Sequence, residues 1–249
     1  MESLNGRIAV VTGASKGLGR SIAVKLAQAG AKVALVARSR DALEALAAEI
    51  GNGARAFPCD LRSPDSIRAV FAEIAAHYGR IDTLVNNAVM CLLNPIDDVS
   101  DEDVRCEVET NFMAPIFCIR AVVPFMRAQG GGEIMNITSD SVGTPFPMLT
   151  IYAATKGALE TLSLGLRTEL KPDNIRVITF RSGYMEETSS QALWSEERRA
   201  QFYKVLQTTG LGHYAGEGVP SDMQADAVVA VLALPHRANV EHITVRSTQ

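Results

Sequence analysis

Residues 12–20 read Thr12-Gly13-Ala14-Ser15-Lys16-Gly17-Leu18-Gly19-Arg20, and they stand between a β-branched run at residues 8–12 and a segment of helical period at residues 18–29. A strand candidate therefore runs straight into a turn that holds three glycines and then into a helix. Glycine lets the backbone approach a phosphate closely, and the free N–H groups at a helix start favour its negative charge. The G-x-x-x-G-x-G spacing differs from the commoner G-x-G-x-x-G fingerprint. Its place in the first strand-to-helix turn predicts a dinucleotide site, and a tight structural turn is the alternative.

The chain on either side of this turn alternates between short β-branched runs and longer helical segments. Further strand candidates lie at residues 33–36, 54–57, 81–85, 133–138 and 175–180. Helices are expected at residues 41–50, 101–128 and 152–170, and another begins with Ser63 as its N-cap and Pro64 in its first turn. Strands that are apolar almost throughout indicate a parallel sheet covered by helices on both faces. We therefore predict an α/β fold with a doubly wound sheet of about seven strands.

Length and composition indicate one ordinary globular unit. The chain has 249 residues, of which 47% are hydrophobic and 21% charged, which excludes a disordered chain, a collagen-like repeat and a coiled coil. No linker divides the sequence, so we predict one domain over residues 1–249. The formal net charge of −4 is too mild and too evenly spread for a nucleic-acid binder that needs a basic surface.

The sequence also bears on compartment and metal binding. Residues 1–7 lack the charged-then-apolar pattern of a signal peptide, and the apolar run after them is too short to span a membrane. We therefore expect a cytoplasmic protein without membrane association. We expect no metal site, because the cysteines form no C-x-x-C and have no histidine at ligand spacing; they should be reduced thiols, namely Cys59, Cys91, Cys106 and Cys118.

A segment near the carboxyl end departs from the alternation. Between residues 183 and 220 bulky side chains stand among charges: Met185, Trp194, Phe202, Tyr203, Leu206 and Tyr214. Insertions of this kind in α/β enzymes usually cover the ligand crevice, so we predict a substrate lid at about residues 184–220. A peripheral helical hairpin is the alternative.

The end of the second strand bears on the choice between NAD and NADP. An acidic residue there holds the ribose 2′-hydroxyl of NAD, but this chain has Ala37 at that place. Arg38 follows it, and Lys16 lies in the glycine turn, so two cations are available for a 2′-phosphate. We expect NADP(H) to be preferred, with NAD(H) possible. The alternative is that Arg38 and Arg40 only form a solvated helix start.

Tyr152 and Lys156 form a third candidate feature, four residues apart on one helix face. A phenol titrates near ~10 and exchanges protons at neutral pH only when a nearby positive charge stabilises the phenolate. Lys156 is placed to supply that charge. Ser139 stands thirteen residues before Tyr152, after the fifth strand candidate, at the sheet edge where ligands bind in such folds.

Taken together, these residues resemble the short-chain dehydrogenase/reductase family, in its short soluble branch of about 250 residues. The resemblance covers residues 7 to about 231 and includes the glycine turn, Asp60-Leu61, Asn86-Asn87-Ala88, Asn111, Ser139, Tyr152-x-x-x-Lys156 and Gly183. It implies an NAD(P)(H)-dependent oxidoreductase with a single Rossmann-like domain. It also implies cofactor contacts from Gly13, Ser15, Lys16, Gly17, Leu18, Gly19, Arg38, Asp60, Leu61, Asn87, Ala88, Tyr152, Lys156 and Gly183.

The resemblance further implies a catalytic set of four residues. Tyr152 would donate a proton to the carbonyl oxygen of a ketone, and Ser139 would hold that oxygen. Lys156 would bond the nicotinamide ribose and lower the pKa of the tyrosine. Asn111 would anchor a water that connects Lys156 to solvent.

Some positions depart from the family pattern. Val89 stands where glycine is usual, so the backbone there must keep to conformations that a β-branched residue tolerates. Ser182 replaces the usual proline before Gly183. Glu187 stands where a threonine usually meets the nicotinamide carboxamide, with Thr188 one step later. Ser141 is an alternative hydroxyl, but the spacing to Tyr152 favours Ser139.

The substrate is the least constrained expectation. The wall candidates are apolar, at residues 140–150, 90–93 and in the lid, which favours an uncharged, moderately bulky ketone, cyclic ketones included. As substrate-binding residues we single out Ser139, Met148, Tyr152, Tyr184 and Trp194. The ending at residues 240–246 instead looks like relatives that act on small hydroxy acids and related alcohols. A non-catalytic dinucleotide sensor and a nucleotide-sugar epimerase or dehydratase are the other functions considered. By resemblance, the two long helices would form the contacts of a homodimer or homotetramer.

Overall fold

The computed structural model describes residues 3–144, 146–185, 191–211 and 218–248. Seven strands form one sheet in the order β3-β2-β1-β4-β5-β6-β7, and all pairs are parallel. The strands are β1 (Ile8–Thr12), β2 (Lys32–Ala37), β3 (Arg55–Pro58), β4 (Thr83–Asn86), β5 (Gly132–Ser139), β6 (Ile175–Ser182) and β7 (His242–Val245). Because β1 lies between β2 and β4, the chain changes direction across the sheet there, and a crevice opens at the carboxyl ends of β1 and β4.

In the part of the chain that the structure describes, eight α-helices cover the two faces of this sheet. They are α1 (Gly17–Gln28), α2 (Arg40–Ile50), α3 (Pro64–Tyr78), α4 (Asp101–Val108), α5 (Ala114–Ala128), α6 (Thr150–Leu170), α7 (Glu196–Thr208) and α8 (Ser221–Leu232). Within the described ranges, the fold class predicted from the sequence is confirmed: a doubly wound parallel sheet of seven strands with helices on both sides.

The strands inside the sheet are buried on both faces, and in β1 alternate residues pack into two separate cores. In β1, Ala9 and Val11 face a core shared with α1, α2 and α8, whereas Val10 faces a core shared with α3, α5 and the end of α6. All five residues of β1 are buried. This two-sided burial explains why the strands are continuous apolar runs and not alternating ones.

Local sequence signals account for most element ends. The Ser63 hydroxyl accepts a hydrogen bond from the Ser66 amide and caps α3, and Pro64 follows it, as predicted. The stretch predicted as one helix at residues 101–128 is continuous but contains a π-helical turn, Glu109–Met113, between α4 and α5. β7 was not among the strand candidates. It is a short edge strand whose side chains are only partly buried, so it lacks an apolar run.

The segment Asp101–Ala128 is long and apolar enough, by length and composition alone, to cross a membrane. The fold uses it as a core helix. Buried side chains of α5, among them Cys118, Ile119 and Val122, pack into the same core as Ile67 and Phe71 of α3. Burial against the sheet and α3 therefore accounts for its apolar composition.

The amino ends of the strands carry a buried ionic cluster. Glu133, at the start of β5, is 1% exposed at its side chain and bonds Arg7 and Arg176. The Arg176 Nη2 atom lies 2.8 Å from the Glu133 Oε1 atom. Arg176 also donates to the carbonyls of Pro235 and Ala238. This cluster joins β5 and β6 to the segment that precedes β7, at the edge opposite the crevice.

Candidate active site

A cavity of about 850 Å³ occupies the crevice at the carboxyl edge of the sheet. It extends from the glycine turn after β1 to Tyr152 on α6 and the described parts of the 184–220 segment. Among the residues predicted from the sequence, its walls include Gly13, Ser15, Lys16, Leu18, Gly19, Arg38, Asp60, Leu61, Asn87, Ala88, Ser139, Tyr152, Lys156, Gly183, Tyr184 and Trp194. Three predicted residues, Gly17, Asn111 and Met148, do not line it.

The glycine turn is packed tightly against the end of β4. Gly13 has φ +66, and a Cβ atom there would lie 2.8 Å from the Ala88 Cα atom. The Thr12 hydroxyl accepts hydrogen bonds from the backbone amides of Asn87 and Ala88, at 2.9 and 3.1 Å. The Asn87 side chain donates to the Thr12 carbonyl at 3.0 Å. Only glycine fits this close approach, which leaves the start of α1 open to the cavity.

Positive side chains gather at the cavity end near β2 and β3. Arg38 follows β2, and Lys16 comes from the glycine turn, as predicted. Two residues that sequence reasoning missed also lie here: Ser39, the N-cap of α2, whose side chain makes no capping bond, and Arg62. Ser39 carries a recognisable signal, because a hydroxyl just before a helix start is a common anion ligand.

Asp60 lies among these cations. Its partial burial would raise the pKa of the carboxyl, but the Arg62 backbone amide and the guanidinium groups of Arg62 and Arg38 outweigh burial and lower it. The Arg62 amide donates to the Asp60 Oδ1 atom at 3.0 Å. Asp60 therefore stays ionised, and it orients Arg62 at the cavity wall.

Tyr152, Lys156 and Ser139 meet at the other end of the cavity. The Lys156 Nζ atom lies 5.9 Å from the Tyr152 ring centroid and donates to the Ile137 carbonyl at 2.8 Å. Ser139 ends β5, and its hydroxyl bonds the Tyr152 phenol. The Ser139 hydroxyl also accepts a hydrogen bond from the Ser141 amide, at 3.2 Å. The alternative hydroxyl of Ser141 is buried and has no hydrogen-bond partner among the described residues.

Burial governs the proton equilibria of this group. It raises the pKa of Tyr152, which the hydrogen bond from Ser139 opposes. It lowers the pKa of Lys156 to about 8. The phenol is therefore protonated at neutral pH, and the lysine is mostly charged. The lowered tyrosine pKa that the family resemblance implies is not found, because loss of solvation is the largest influence on the phenol.

Asn111 lies below the cavity, in the π-helical turn, and is fully buried. Its side chain accepts from the Met90 amide at 2.8 Å and donates to the Met90 carbonyl at 2.7 Å. It also donates to the Thr155 hydroxyl at 3.2 Å. Asn111 thus joins the loop after β4 to the residue that precedes Lys156.

The apolar wall differs in detail from the sequence prediction. Met148 has φ +64 and is buried in a small apolar cluster with Leu93 and Phe202, behind the wall. Its neighbours Phe146 and Leu149 line the cavity instead. A left-handed backbone at a methionine leaves no signal in the sequence, so the side that Met148 faces was not predictable.

Part of the segment at residues 184–220 covers this end of the cavity. Trp194 and the residues Phe202, Tyr203 and Leu206 of α7 line it, together with Tyr184 and Met185. Trp194 packs on Phe202 with ring centroids 6.0 Å apart. Glu187, Thr188, Tyr214 and Pro145 lie outside the described residues.

The other departures from the family pattern fit the local geometry. Val89 lines the cavity and has no left-handed backbone. Gly183 approaches the chain after β7 so closely that a Cβ atom would lie 2.7 Å from the Val245 carbonyl oxygen. Arg246 then reaches back, and its Nε atom lies 2.8 Å from Asp140, the residue after Ser139. The chain beyond β7 therefore supports the cavity wall.

In the described part of the chain, no group of three His, Cys, Asp or Glu side chains is arranged to bind a metal ion. All four cysteines lie in the described ranges and are free thiols, and three of them are buried. Burial raises the pKa of the Cys91 and Cys118 thiols.

Comparison with known proteins matches this arrangement to one family. Residues 7–199 fit the family model described as short chain dehydrogenase. An uncharacterised oxidoreductase of Staphylococcus epidermidis is 29% identical over 246 residues, which are 99% of this chain and 99% of the relative.

Solved structures with the same fold include proteins with bound NADP. A metagenomic short-chain oxidoreductase in complex with NADP is 30% identical, with a TM-score of 0.82 over 100% of both chains. The closed form of a serine dehydrogenase complexed with NADP⁺ is 29% identical, with a TM-score of 0.86 over 96% of this chain and 94% of that one.

Proposed function

Because the chain belongs to the short-chain dehydrogenase family of oxidoreductases, we propose that it transfers hydride between NADP(H) and a secondary alcohol/ketone pair. The observation that carries the proposal is the meeting of Tyr152, Ser139 and Lys156 in the cavity that begins at the glycine turn. A nicotinamide dinucleotide, when bound, supplies or accepts the hydride. The chain's own residues bind that group, orient the substrate and move one proton.

The residues present fit a dinucleotide along the whole cavity. Gly13 packs closely against Ala88, and Leu18 and Gly19 at the start of α1 line the cavity, so a helix N-terminus that suits a pyrophosphate borders it. The contacts proposed for the pyrophosphate come from Ser15, Lys16, Gly17, Leu18 and Gly19. Asp60 and Leu61 are assigned to the adenine half, Asn87 and Ala88 to the middle of the dinucleotide, and Lys156 and Gly183 to the nicotinamide half; all six line the cavity.

The preference for NADP(H) rests on the cations at the β2 end. Arg38 and Lys16 are joined there by Arg62 and by the free Ser39 hydroxyl at the start of α2. A 2′-phosphate would receive charge-assisted hydrogen bonds from this set. NAD(H) is the alternative cofactor. Ala37 offers no carboxylate to the ribose 2′-hydroxyl of NAD, but its small side chain does not exclude that hydroxyl.

Tyr152 is assigned the proton transfer. Its raised pKa keeps the proton on the phenol oxygen at neutral pH, which is the form that carbonyl reduction requires. Ser139 holds the same phenol and can direct a hydrogen bond to the carbonyl oxygen of a substrate beside it. Alcohol oxidation uses the reverse transfer, with Tyr152 as the base.

Lys156 and Asn111 complete the catalytic set. The Lys156 ammonium, still mostly charged below pH 8, stabilises negative charge that develops on the phenol during transfer. Asn111 supports Lys156 through Thr155. The water that the family resemblance assigns to Asn111 stays a prediction.

The substrate proposed is an apolar or cyclic carbonyl compound. At the tyrosine end, Phe146, Leu149 and Trp194 form an apolar wall, beside Tyr184. Among the described side chains that line this end, Lys156 is the only cation, so a carboxylate substrate would lack a dedicated partner. A hydroxy acid remains the second candidate, because one structural relative is a serine dehydrogenase.

Three further assignments belong to this proposal. The whole chain acts as one domain, with residues 184–220 as a lid over the substrate. Copies of the chain associate as homodimers or homotetramers through α4, α5 and α6, where Met113 and Leu164 are exposed apolar side chains. The protein works in the cytoplasm on a small molecule. Measuring the molecular mass of the protein in solution tests the proposed oligomerisation.

Cofactor consumption provides the test of the proposed reaction. We would follow NADPH absorbance with a panel of cyclic and aryl ketones, and with 2-keto acids of similar size as the matched control. Turnover of the ketones with little turnover of the acids is expected. Faster turnover of the 2-keto acids would show that the substrate is a hydroxy acid or keto acid and not an apolar ketone. Binding of NADPH without turnover of any carbonyl compound would indicate a sensor instead of an enzyme.

A further inference from the structure

Residues 90–92, in the loop after β4, are held from below by two side chains of one helical stretch. Asn111 bonds both backbone groups of Met90. Glu107, one helical turn earlier, accepts a hydrogen bond from the Leu92 amide at its Oε1 atom, at 3.0 Å. Three backbone polar groups of this loop are therefore fixed by residues four positions apart on the same helix face.

Glu107 is an unusual residue for its position. It is 2% exposed, and burial raises the pKa of its carboxyl to about 7, with a further rise from Asp103. Burying a carboxyl is costly, and an apolar residue would fit a buried helix face without that cost. The hydrogen bond from the Leu92 amide gives the buried carboxyl of Glu107 a partner. Binding the loop at Leu92 therefore explains why a glutamate stands at this buried position.

The same loop is held from above by the segment at residues 191–211. The Trp194 indole N–H donates to the Cys91 carbonyl at 2.8 Å. Cys91 lies between the two anchored residues, and its thiol is within electrostatic range of Tyr152 and Lys156. Cys91 and Trp194 both line the cavity. The bond between the Trp194 indole and the Cys91 carbonyl therefore joins the loop after β4 to the segment at residues 191–211.

We propose that Glu107 is a positioning residue: by holding the Leu92 backbone it places the Cys91 carbonyl to receive the Trp194 indole, and this latch closes the substrate end of the cavity. The kinetic consequence rests on the proposed function, but the latch itself does not. Glu107 acts through Leu92 and Cys91 and is not a catalytic residue.

The test uses the fact that the chain contains a single tryptophan, so its fluorescence reports on the latch alone. Glu107→Leu removes the acceptor of the Leu92 bond, and Glu107→Gln retains an acceptor oxygen. In Glu107→Leu we expect Trp194 emission to move to longer wavelength and KM for the carbonyl substrate to rise about tenfold, with kcat changed less than about threefold. Glu107→Gln should restore both values. Glu102→Leu, at an exposed position of the same helix, serves as the matched control.

A second variant keeps the proposal testable if Glu107→Leu does not fold. Trp194→Phe retains the ring and loses the N–H donor, and it should raise KM by a similar factor. Where both fold, the double variant should show little more than one single effect, because both act on one latch.

Several results would overturn the latch: unchanged emission and KM in Glu107→Leu, a Glu107→Gln variant as impaired as Glu107→Leu, or an unchanged KM in Trp194→Phe. The emission arm needs no turnover. If the wild-type protein reduces no carbonyl and yet its emission shifts in Glu107→Leu and recovers in Glu107→Gln, the proposed function fails and the latch stands.

Discussion

The Lys156 ammonium lies 5.9 Å from the centre of the Tyr152 ring and is bonded to the Ile137 carbonyl at the end of β5. Helix α6 and the sheet therefore hold both groups of the proposed proton transfer in one place. Neither group needs to move far to meet a substrate, because both already line the cavity. The following predictions test the chemistry assigned to this pair and its surroundings.

The pair should impose a pH limit on carbonyl reduction. Lys156 has a pKa of about 8, lowered by burial, so its charge is present below pH 8 and is lost above it. We expect kcat/KM for reduction to fall as pH rises through about 8. Alcohol oxidation should instead gain as pH rises, because it needs the deprotonated phenol. Steady-state profiles in both directions check this, and a flat reduction profile from pH 7 to 9.5 would contradict it.

Tyr152→Phe should abolish most turnover and leave cofactor binding nearly intact. The phenol oxygen is the proposed proton donor, and loss of such a group typically costs about 10²–10⁴-fold in rate. kcat with a ketone and Kd for NADPH are the two measurements. Tyr78→Phe is the control, since that phenol bonds the Gly53 carbonyl far from the cavity. Substantial residual turnover would refute the role.

Arg38→Asp should move cofactor preference toward NADH. The cation lines the cavity, and a carboxylate there would repel a 2′-phosphate. We expect KM for NADPH to rise about 10–100-fold and KM for NADH to stay the same or fall. Arg40→Asp is the matched control, because Arg40 pairs with Glu44 and is not part of the wall. An unchanged ratio would assign the phosphate to another group.

Glu107 should make stability depend on pH in a defined window. Its pKa is raised from 4.5 to about 7 in the fold, mainly by burial, so the folded state binds more protons than the unfolded state between these values. The contribution of the Glu107 carboxyl to the free energy of unfolding is fully present below pH 4.5. As pH rises from there to about 7, the free energy of unfolding falls by about 3 kcal/mol through this group.

Urea unfolding at pH 5 and pH 7.5 measures this effect. The free energy of unfolding should fall more in the wild-type protein than in Glu107→Gln over that interval, because glutamine does not titrate. Equal changes in the two proteins would show that the carboxyl is not perturbed. Other titrating groups are common to both proteins and cancel in the comparison.

Glu133→Gln should lower stability without changing substrate kinetics. The carboxylate is 1% exposed and serves Arg7 and Arg176 at once. Glutamine keeps an acceptor oxygen but removes the negative charge, which leaves two guanidinium groups without a buried counter-charge, at a cost of about 3 kcal/mol. Chemical denaturation checks the loss, and KM for NADPH measured at low temperature is the control. A variant as stable as the wild type would contradict the role of the cluster.

The elements that sequence reasoning found are those with strong local signals. β1 and β2 are buried on both faces and so appear as apolar runs, β5 and β6 carry enough apolar and β-branched residues to be recognised, and Ser63-Pro64 marks the start of α3 through capping chemistry. β7 was missed because an edge strand with half-exposed side chains carries no such run. The π-helical turn at Asn111 also left no trace, since the flanking segments have ordinary helical periodicity.

Residues of the candidate site were likewise predictable only where the sequence carries a local or family pattern. Residues with a family pattern, such as Tyr152 and Lys156, could be placed in advance on one helix face. Arg62 and Glu107 could not. No pattern in the loop after β3 marks Arg62, which pairs with Asp60 two residues away, as a residue of the cavity wall, and the importance of Glu107 comes from a tertiary neighbour, the Leu92 amide. Met148 turned away from the cavity through a left-handed backbone that its sequence does not signal.

The parallel sheet separates two tasks between its opposite edges. Glu133 and its arginines lock the amino ends of β5 and β6, whereas Ser139 and Ser182 at the carboxyl ends of the same two strands face the cavity. An evolving lineage can therefore exchange residues along the reactive rim to accept new molecules while the opposite rim preserves the scaffold. Substitutions that change substrate specificity and substitutions that change stability can then occur at different edges of the sheet.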